Sequence, residues 1–390
     1  MSTIIKYPHL LTIGSLAGTI IGVGMFGIPY VAIKAGILPV IFYLLIFGAV
    51  SILVHAMYME ITLRTKENHR LAGYSGIYLG NKWKWITLIQ TIIFLWGSLL
   101  IYTIIGGQFL NIILEPFFGN TTLISSLAFF AISSIIVICG IRAIGKIELI
   151  FTIIIVIAII LFFARALSLG NTINLSQLIL IDWKNIILPY GVILFAMSGL
   201  SIIPTLENEV EANIASGQRL YFGKIIIIGT TIPVFVYLLF MLSVIGISGD
   251  KTTTDALTGL NNTIGSGYLT IGAVIGVFSM FTSFVPLGNE LKRTFLEDFG
   301  VPIFWSTIGS LLAPLIMFLL GLNDFIIITS FVGAFGAIYI NIIIFIMHKR
   351  AKKTGNEKNP LFSFNVSKPI LWFLSLIFVI GFIVSIMELF

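Results

Sequence analysis

The sequence predicts an all-α polytopic membrane protein of eleven transmembrane helices, and three observations predict it. Hydrophobic residues make up 58% of the 390 residues and charged residues only 10%, where a soluble domain carries about 25% charged. Apolar stretches of about 20 residues, enough to cross a bilayer, recur along the whole chain. The basic residues alternate between loops. With the N-terminus inside, eighteen of the 22 Lys and Arg fall in cytoplasmic segments, the exceptions being Lys34, Arg165, Lys184 and Lys251 at outer ends. One span more or fewer would scramble that asymmetry. The expected placement is a multi-pass protein of the cell membrane with a cytoplasmic N-terminus and an extracytoplasmic C-terminus.

The first span covers 9–35, and with Lys6 and Pro8 ahead of it and no small-residue cleavage site after it, it reads as retained. The second covers 37–62. A polar stretch, 63–84, carries Arg64, Lys66, Arg70, Lys82 and Lys84 around Gly73-Tyr74-Ser75-Gly76 and has room for a short surface helix. Spans three to five cover 85–114, 122–140 and 147–168, and a linker runs to 185. Spans six to ten cover 186–206, 221–247, 264–288, 302–321 and 325–347. A basic loop from 348 to 368 precedes the last span, 369–387.

The same reading excludes several classes. A net charge of +6 invites nucleic acid, but topology accounts for the basic surplus, most visibly in Lys349-Arg350-Ala351-Lys352-Lys353. Cys139 is the one cysteine, so neither a disulfide framework nor a cysteine metal site is available. An enzyme fails on inventory: His9, His55, His69 and His348 are scattered, and nothing pairs a nucleophile with a base. No cofactor is expected.

Two spans are poor helices. Ala17-Gly18-Thr19-Ile20-Ile21-Gly22-Val23-Gly24-Met25-Phe26-Gly27-Ile28-Pro29-Tyr30 holds four glycines and a proline, and each Gly costs about 1 kcal/mol and Pro about 3 kcal/mol against Ala inside a helix. The predicted conformation is helix, a few unwound residues within 22–27, then a second helix. Gly18 and Gly22 also have the spacing of a close-packing face, which is the competing explanation. The sixth span repeats the interruption at Ser198-Gly199-Leu200-Ser201, followed by Pro204. Interruptions five spans apart are what two five-helix repeats of opposite topology produce, and they point to a transporter's central site. The repeats are assigned to 1–168 and 169–347, with 348–390 supplying the basic loop and the extra helix.

The first interruption, with Lys34-Ala35-Gly36 after it, resembles the first helix of the amino acid/auxin permease and aromatic amino acid permease families, and Phe195-Ala196-Met197-Ser198-Gly199 is similar to their sixth helix. These families belong to the amino acid-polyamine-organocation superfamily, which has the fold of the bacterial leucine transporter. The resemblance implies symport of neutral, hydrophobic or aromatic amino acids by a protein acting as a monomer. A zwitterionic substrate must be matched inside the membrane, where unpaired charge is costly, and this chain has almost no charged side chains at that depth. Backbone must do the matching. The Gly22, Val23, Gly24 and Met25 N–H groups at a half-helix N-terminus suit the carboxylate. By resemblance, carbonyls near Thr19, Ile20, Phe195, Ala196 and Ser198, beside the Gly199 junction, take the ammonium. Phe195 matches the aromatic lid over the substrate, with Tyr102 as its partner.

In the eighth span, Ser279, Thr282 and Ser283 supply half of an oxygen cage for a hard cation, the alternative being hydrogen bonds to the helix's own carbonyls. The resemblance completes a sodium site with carbonyls of Gly18 and Ile21. Some proton-coupled relatives place a lysine there from the fifth span, where this chain has Ile155. Protons remain the alternative through His55 and Glu60, and a passive channel or uncoupled exchanger is a nearer rival than an enzyme. Glu207, Glu209, Glu211 and Arg219 read as a solvated cytoplasmic end, and Lys6 as an inner-gate partner for Glu290 or Glu297.

Overall fold

A computed structural model describes residues 8–140, 144–168, 180–207, 210, 221–260 and 266–389. Every regular element in them is helical. The first apolar segment forms two helices, α1 (Pro8–Ile20) and α2 (Gly24–Ala35), separated by three non-helical residues and bent by 52°. The unwound residues are Ile21, Gly22 and Val23, so the break begins one residue before the expected stretch and Gly24 to Gly27 already belong to α2. Gly36 turns the chain into α3 (Ile37–Leu63) at φ +96°, a conformation that a Cβ would strain. The polar stretch holds α4 (Leu71–Leu79), and Gly80 at φ +99° makes the corner into α5 (Asn81–Phe118).

α6 (Thr122–Cys139) and α7 (Ile144–Ser168) follow. α8 (Leu188–Ala196) starts with proline in its first turn and stops at Met197; a short 3-10 turn, Leu200–Ile202, leads back into helix over 203–207. Next come α9 (Phe222–Ser248), α10 (Ser266–Arg293) with a π-helical turn at Thr294–Asp298, α11 (Ile303–Leu319), α12 (Phe325–Thr354) and α13 (Lys368–Leu389). Among the described residues, seven helices are long and apolar enough to cross a membrane, or eight if the bent pair is one span. Shorter apolar helices lie at Thr152–Ser168, Ile303–Leu319 and Lys368–Gly381.

Burial sorts these helices into centre and periphery. In α5 the most apolar window is 78% buried, against 33% in α6. α5 packs on α6, α10 and α12, while α8 sits between α2 and α12. The outer faces remain apolar, with Ile132, Ile135, Phe304, Trp305, Trp372 and Phe373 exposed. Water would penalise such a surface and a bilayer does not. The eighth apolar segment runs further than its sequence limits imply: α10 and its π turn carry Glu290, Glu297 and Asp298 back toward α4.

Candidate functional site

A cavity of about 60 Å³ lies where the two interruptions meet. Thr19, Ile20, Gly22 and Gly24 line it from the first interruption, and Phe195, Ala196, Ser198, Leu200 and Ser201 from the second. The approach of α2 to α8 is as close as backbones allow, since a Cβ on Gly24 would stand 2.6 Å from Ala196 Cα. Glycine at 24 is thus a packing requirement between two half-helices.

The turn distributes its N–H groups unevenly. Gly22 donates to the Ile20 carbonyl at 2.8 Å, which removes it from the expected carboxylate donors. Val23 N–H rests on the Tyr102 hydroxyl at 3.4 Å and Met25 N–H on the Gly22 carbonyl at 3.3 Å, both long contacts that a stronger acceptor can displace. The α2 dipole presents its positive end at the same place. Val23 and Met25 are buried beside the cavity and do not line it. Neither does Gly199, which packs against Ile20 and His55.

The C-terminal ends of α1 and α8, both negative dipole poles, converge on the buried Tyr237 of α9. Its hydroxyl donates to the Ile20 carbonyl at 2.5 Å and the Ala196 carbonyl at 2.9 Å, one proton shared by two acceptors. These are two of the carbonyls expected to face an ammonium; Ile20 already accepts from Gly22 N–H as well, so it must exchange one of its two donors, whereas Ala196 keeps a second lone pair. Tyr237 was outside every sequence expectation.

Phe195 and Tyr102 both line the cavity; the Phe94 ring lies beside Phe195, with centroids 6.2 Å apart, and Tyr102 points its hydroxyl into the Gly22–Val23 turn. Thr91, Phe94, Leu95, Ser98 and Tyr102 line one stripe of α5 at helical spacing. That periodicity was the available signal for the residues beyond Tyr102. Tyr58, Leu71, Leu287, Glu290 and Ile340 complete the lining.

Glu290 is the lining carboxylate, and it is paired. Arg70 gives Nη1 to Glu290 at 2.9 Å and Nε to Glu297 at 3.1 Å. The Arg70 and Gly73 N–H groups donate to the two oxygens of Asp298 at 3.1 and 2.8 Å, so Asp298 caps the N-terminus of α4 from a distant part of the chain. The partner expected for Glu290 or Glu297, Lys6, lies outside the described residues. His69 contacts Asp298 at 3.3 Å, and this hydrogen bond raises the imidazole above its ordinary pKa. Glu207, expected to be solvated, is 4% exposed. Burial, and next the Glu207 carboxylate, hold the Tyr74 phenol of α4 well above the usual tyrosine value. Glu209, Glu211 and Arg219 lie outside the described residues.

At the expected cation site, Ser279 and Ser283 place buried hydroxyls that have no hydrogen-bond partner among the described residues. Ser283 Oγ is 3.5 Å from the point where a Gly22 Cβ would stand, so α10 reaches the first interruption. Thr282 instead donates to the Ser279 carbonyl at 2.9 Å, the helix-internal bond that competes with a cage. Gly18 and Ile21 are buried in the last turn of α1 and the residue after it. His55 is buried and hydrogen-bonded to Thr230 at 3.0 Å. Glu60, five residues further along α3, is fully buried, held by Arg64 at 2.9 Å, His348 and Ser363 at 2.8 Å and the Phe364 N–H at 3.2 Å.

Comparison with known proteins agrees with this architecture. The pattern of the tryptophan/tyrosine permease family matches residues 9–388. The chain is 26% identical over 361 residues to the "Tyrosine-specific transport system 1" of Haemophilus influenzae, covering 84% of this chain and 85% of that protein. Its fold is similar to the inward-facing conformation of Mhp1, with a TM-score of 0.67, 13% identity, and coverage of 98% of this chain and 89% of that one. It is also similar to Mhp1, a nucleobase-cation-symport-1 family transporter, closed with bromovinylhydantoin bound, with a TM-score of 0.62, 11% identity, and coverage of 86% and 77%. These likenesses show the leucine transporter type of fold that the sequence resemblance implied.

Proposed function

The chain belongs to the tryptophan/tyrosine permease family of amino acid transporters, and from that premise we propose that it is a symporter of neutral aromatic L-amino acids, tyrosine first among them, working by alternating access. The observation that carries this reading is the meeting of α2's N-terminal pole and α8's C-terminal end in one buried cavity. Val23, Gly24 and Met25 N–H groups receive the carboxylate, as the long contacts now made by Val23 and Met25 are exchanged for a charged acceptor. Carbonyls of Ile20, Ala196 and their neighbours Thr19, Phe195 and Ser198 receive the ammonium. Phe195 and Phe94 cover the ring.

In this reading α1 and α2 form one broken span and the segment 188–207 another. With the remaining long helices and the three shorter ones they make eleven spans, arranged as repeats 1–168 and 169–347 with the N-terminus inside and one chain as the working unit. About 60 Å³ is far below the roughly 300–1,000 Å³ of small-molecule sites, so an aromatic amino acid enters only as half-helices or Phe195 move. That requirement is what alternating access supplies.

Sodium is the proposed coupling ion, travelling as a second substrate. Buried Ser279 and Ser283 hydroxyls without partners among the described residues favour a hard cation, with Gly18 and Ile21 carbonyls completing the cage and Thr282 joining on release from Ser279. Proton coupling is the second reading, favoured by His55, which lies against Gly199 at the other interruption. Labelled tyrosine uptake into proteoliposomes, with sodium and pH gradients imposed separately, tests both. Uptake driven by sodium alone is expected. Uptake driven by pH and indifferent to sodium overturns the sodium assignment, and absence of any amino acid uptake overturns the function.

A further inference from the structure

We propose that the groove between α5 and α12 on the outer surface seats one acyl chain of an anionic glycerophospholipid from the cytoplasmic leaflet. The groove has a volume of about 470 Å³ and is walled by Trp83, Ile86 and Ile93 of α5 and by Phe335, Ile342 and Ile346 of α12. From 83 to 93 a helix rises about 15 Å. A single leaflet contributes about 15 Å of the roughly 30 Å hydrocarbon core, so the groove has the length of one leaflet's chain.

The two helices run antiparallel, which sets Trp83 and Ile346 at the same end. There the surface changes character. Trp83 is 38% exposed, as an interfacial tryptophan is, and Lys82, Lys349 and Arg350 beside this end are exposed. Basic side chains at the mouth of an apolar slot complement a headgroup that carries net negative charge. A zwitterionic headgroup gains less. The leaflet assignment rests on the proposed topology, whereas the lipid itself does not depend on amino acid transport.

The occupant has a route to the central cavity. Gln90 in the groove donates its amide to the Gly336 carbonyl at 3.2 Å, joining α5 to α12 at the groove floor. Thr91, Phe94 and Ile340, on the far sides of the same two helices, line the cavity. A chain wedged between α5 and α12 therefore bears on the wall behind Phe195.

The full chain in lipid nanodiscs, doped with phosphatidylglycerol or phosphatidylcholine carrying a mid-chain diazirine, tests the site by photolabelling and peptide mapping. Label from phosphatidylglycerol is expected to concentrate on 83–93 and 335–346 and to exceed that from phosphatidylcholine. Lys82→Gln and Lys349→Gln each lower that preference by about fivefold, the effect of one basic residue near a charged headgroup. Ile89→Trp, at a groove position that is 58% exposed, fills the slot and removes the local label from both lipids; Ile342→Trp does the same from the opposite wall. Label spread evenly over α6, α7 and α13, or unchanged in both tryptophan variants, overturns the proposal. Tyrosine uptake by the wild type is measured separately, so loss of the lipid site and loss of the transport reading are distinct results.

Discussion

The Tyr237 hydroxyl reaches the Ile20 carbonyl at 2.5 Å and, with the same proton, the Ala196 carbonyl at 2.9 Å, tying together the ends of α1 and α8. Two negative helix poles at this separation repel, and the shared donor offsets the repulsion. Tyr237→Phe keeps the ring and removes the donor. Unsatisfied buried acceptors cost about 1–3 kcal/mol, so tyrosine uptake is expected to fall about tenfold, the equivalent of 1.4 kcal/mol. An initial rate equal to wild type in proteoliposomes would show that the bridge has no part in transport.

Gly24→Ala places a Cβ 2.6 Å from Ala196 Cα, and the neighbour is backbone that cannot rotate away. Overpacking of this kind costs about 1–3 kcal/mol, which predicts a loss of uptake of about 10- to 100-fold with the protein still present in the membrane. Gly267→Ala, where a Cβ meets nothing within 4 Å, is the control and should transport normally. Equal uptake by the two variants would contradict the close approach of α2 to α8.

Removing the Arg70 side chain leaves Glu290 and Glu297 without their shared guanidinium, while Asp298 keeps its bonds to the Arg70 and Gly73 backbone N–H groups. Breaking a buried pair from one side costs about 3–5 kcal/mol. Arg70→Ala should therefore lower thermal stability in detergent steeply. Arg70→Ala combined with Glu290→Gln should recover part of that loss, because the uncompensated buried charge is gone. Strictly additive losses would mean that the two residues do not act as a pair.

Glu60 anchors the segment after α12 through Ser363 and the Phe364 N–H, while Arg64 donates to the Glu357 carbonyl at 3.2 Å. Glu60→Ala strands Arg64 and His348, again at about 3–5 kcal/mol. Faster limited proteolysis within 355–367 is the expected readout. Unchanged cleavage there would show that the loop is held by other contacts.

The His69–Asp298 hydrogen bond raises the His69 pKa, so the folded state binds this proton more tightly than the unfolded chain does. Its contribution is complete below the unfolded value of about 6.5 and is lost as pH rises through the raised folded value. Melting temperature should therefore decline from pH 6 to pH 8, and less so in His69→Gln. A parallel decline in both proteins would assign the pH dependence to other groups.

Local chemistry made the first interruption legible before any fold was known. The penalties of Gly and Pro act within a turn of the chain, and the unwound residues fell at 21–23, at the edge of the predicted stretch. The sixth-span junction at Ser198 and Gly199 was readable from the same local chemistry, whereas Ile20, Phe195 and Ala196 were named by the family resemblance and the structure places them on the cavity wall. Contacts between distant residues were not. Tyr237 meets Ile20 across 217 positions and Arg70 meets Asp298 across 228, and no periodicity or spacing encodes such distances. The sequence by itself determined where helices break and which backbone groups become available, because those depend on each residue's own conformational cost. Only the tertiary structure decided which distant side chain satisfies which freed group, because that depends on how α4, α9 and α10 pack around the breaks.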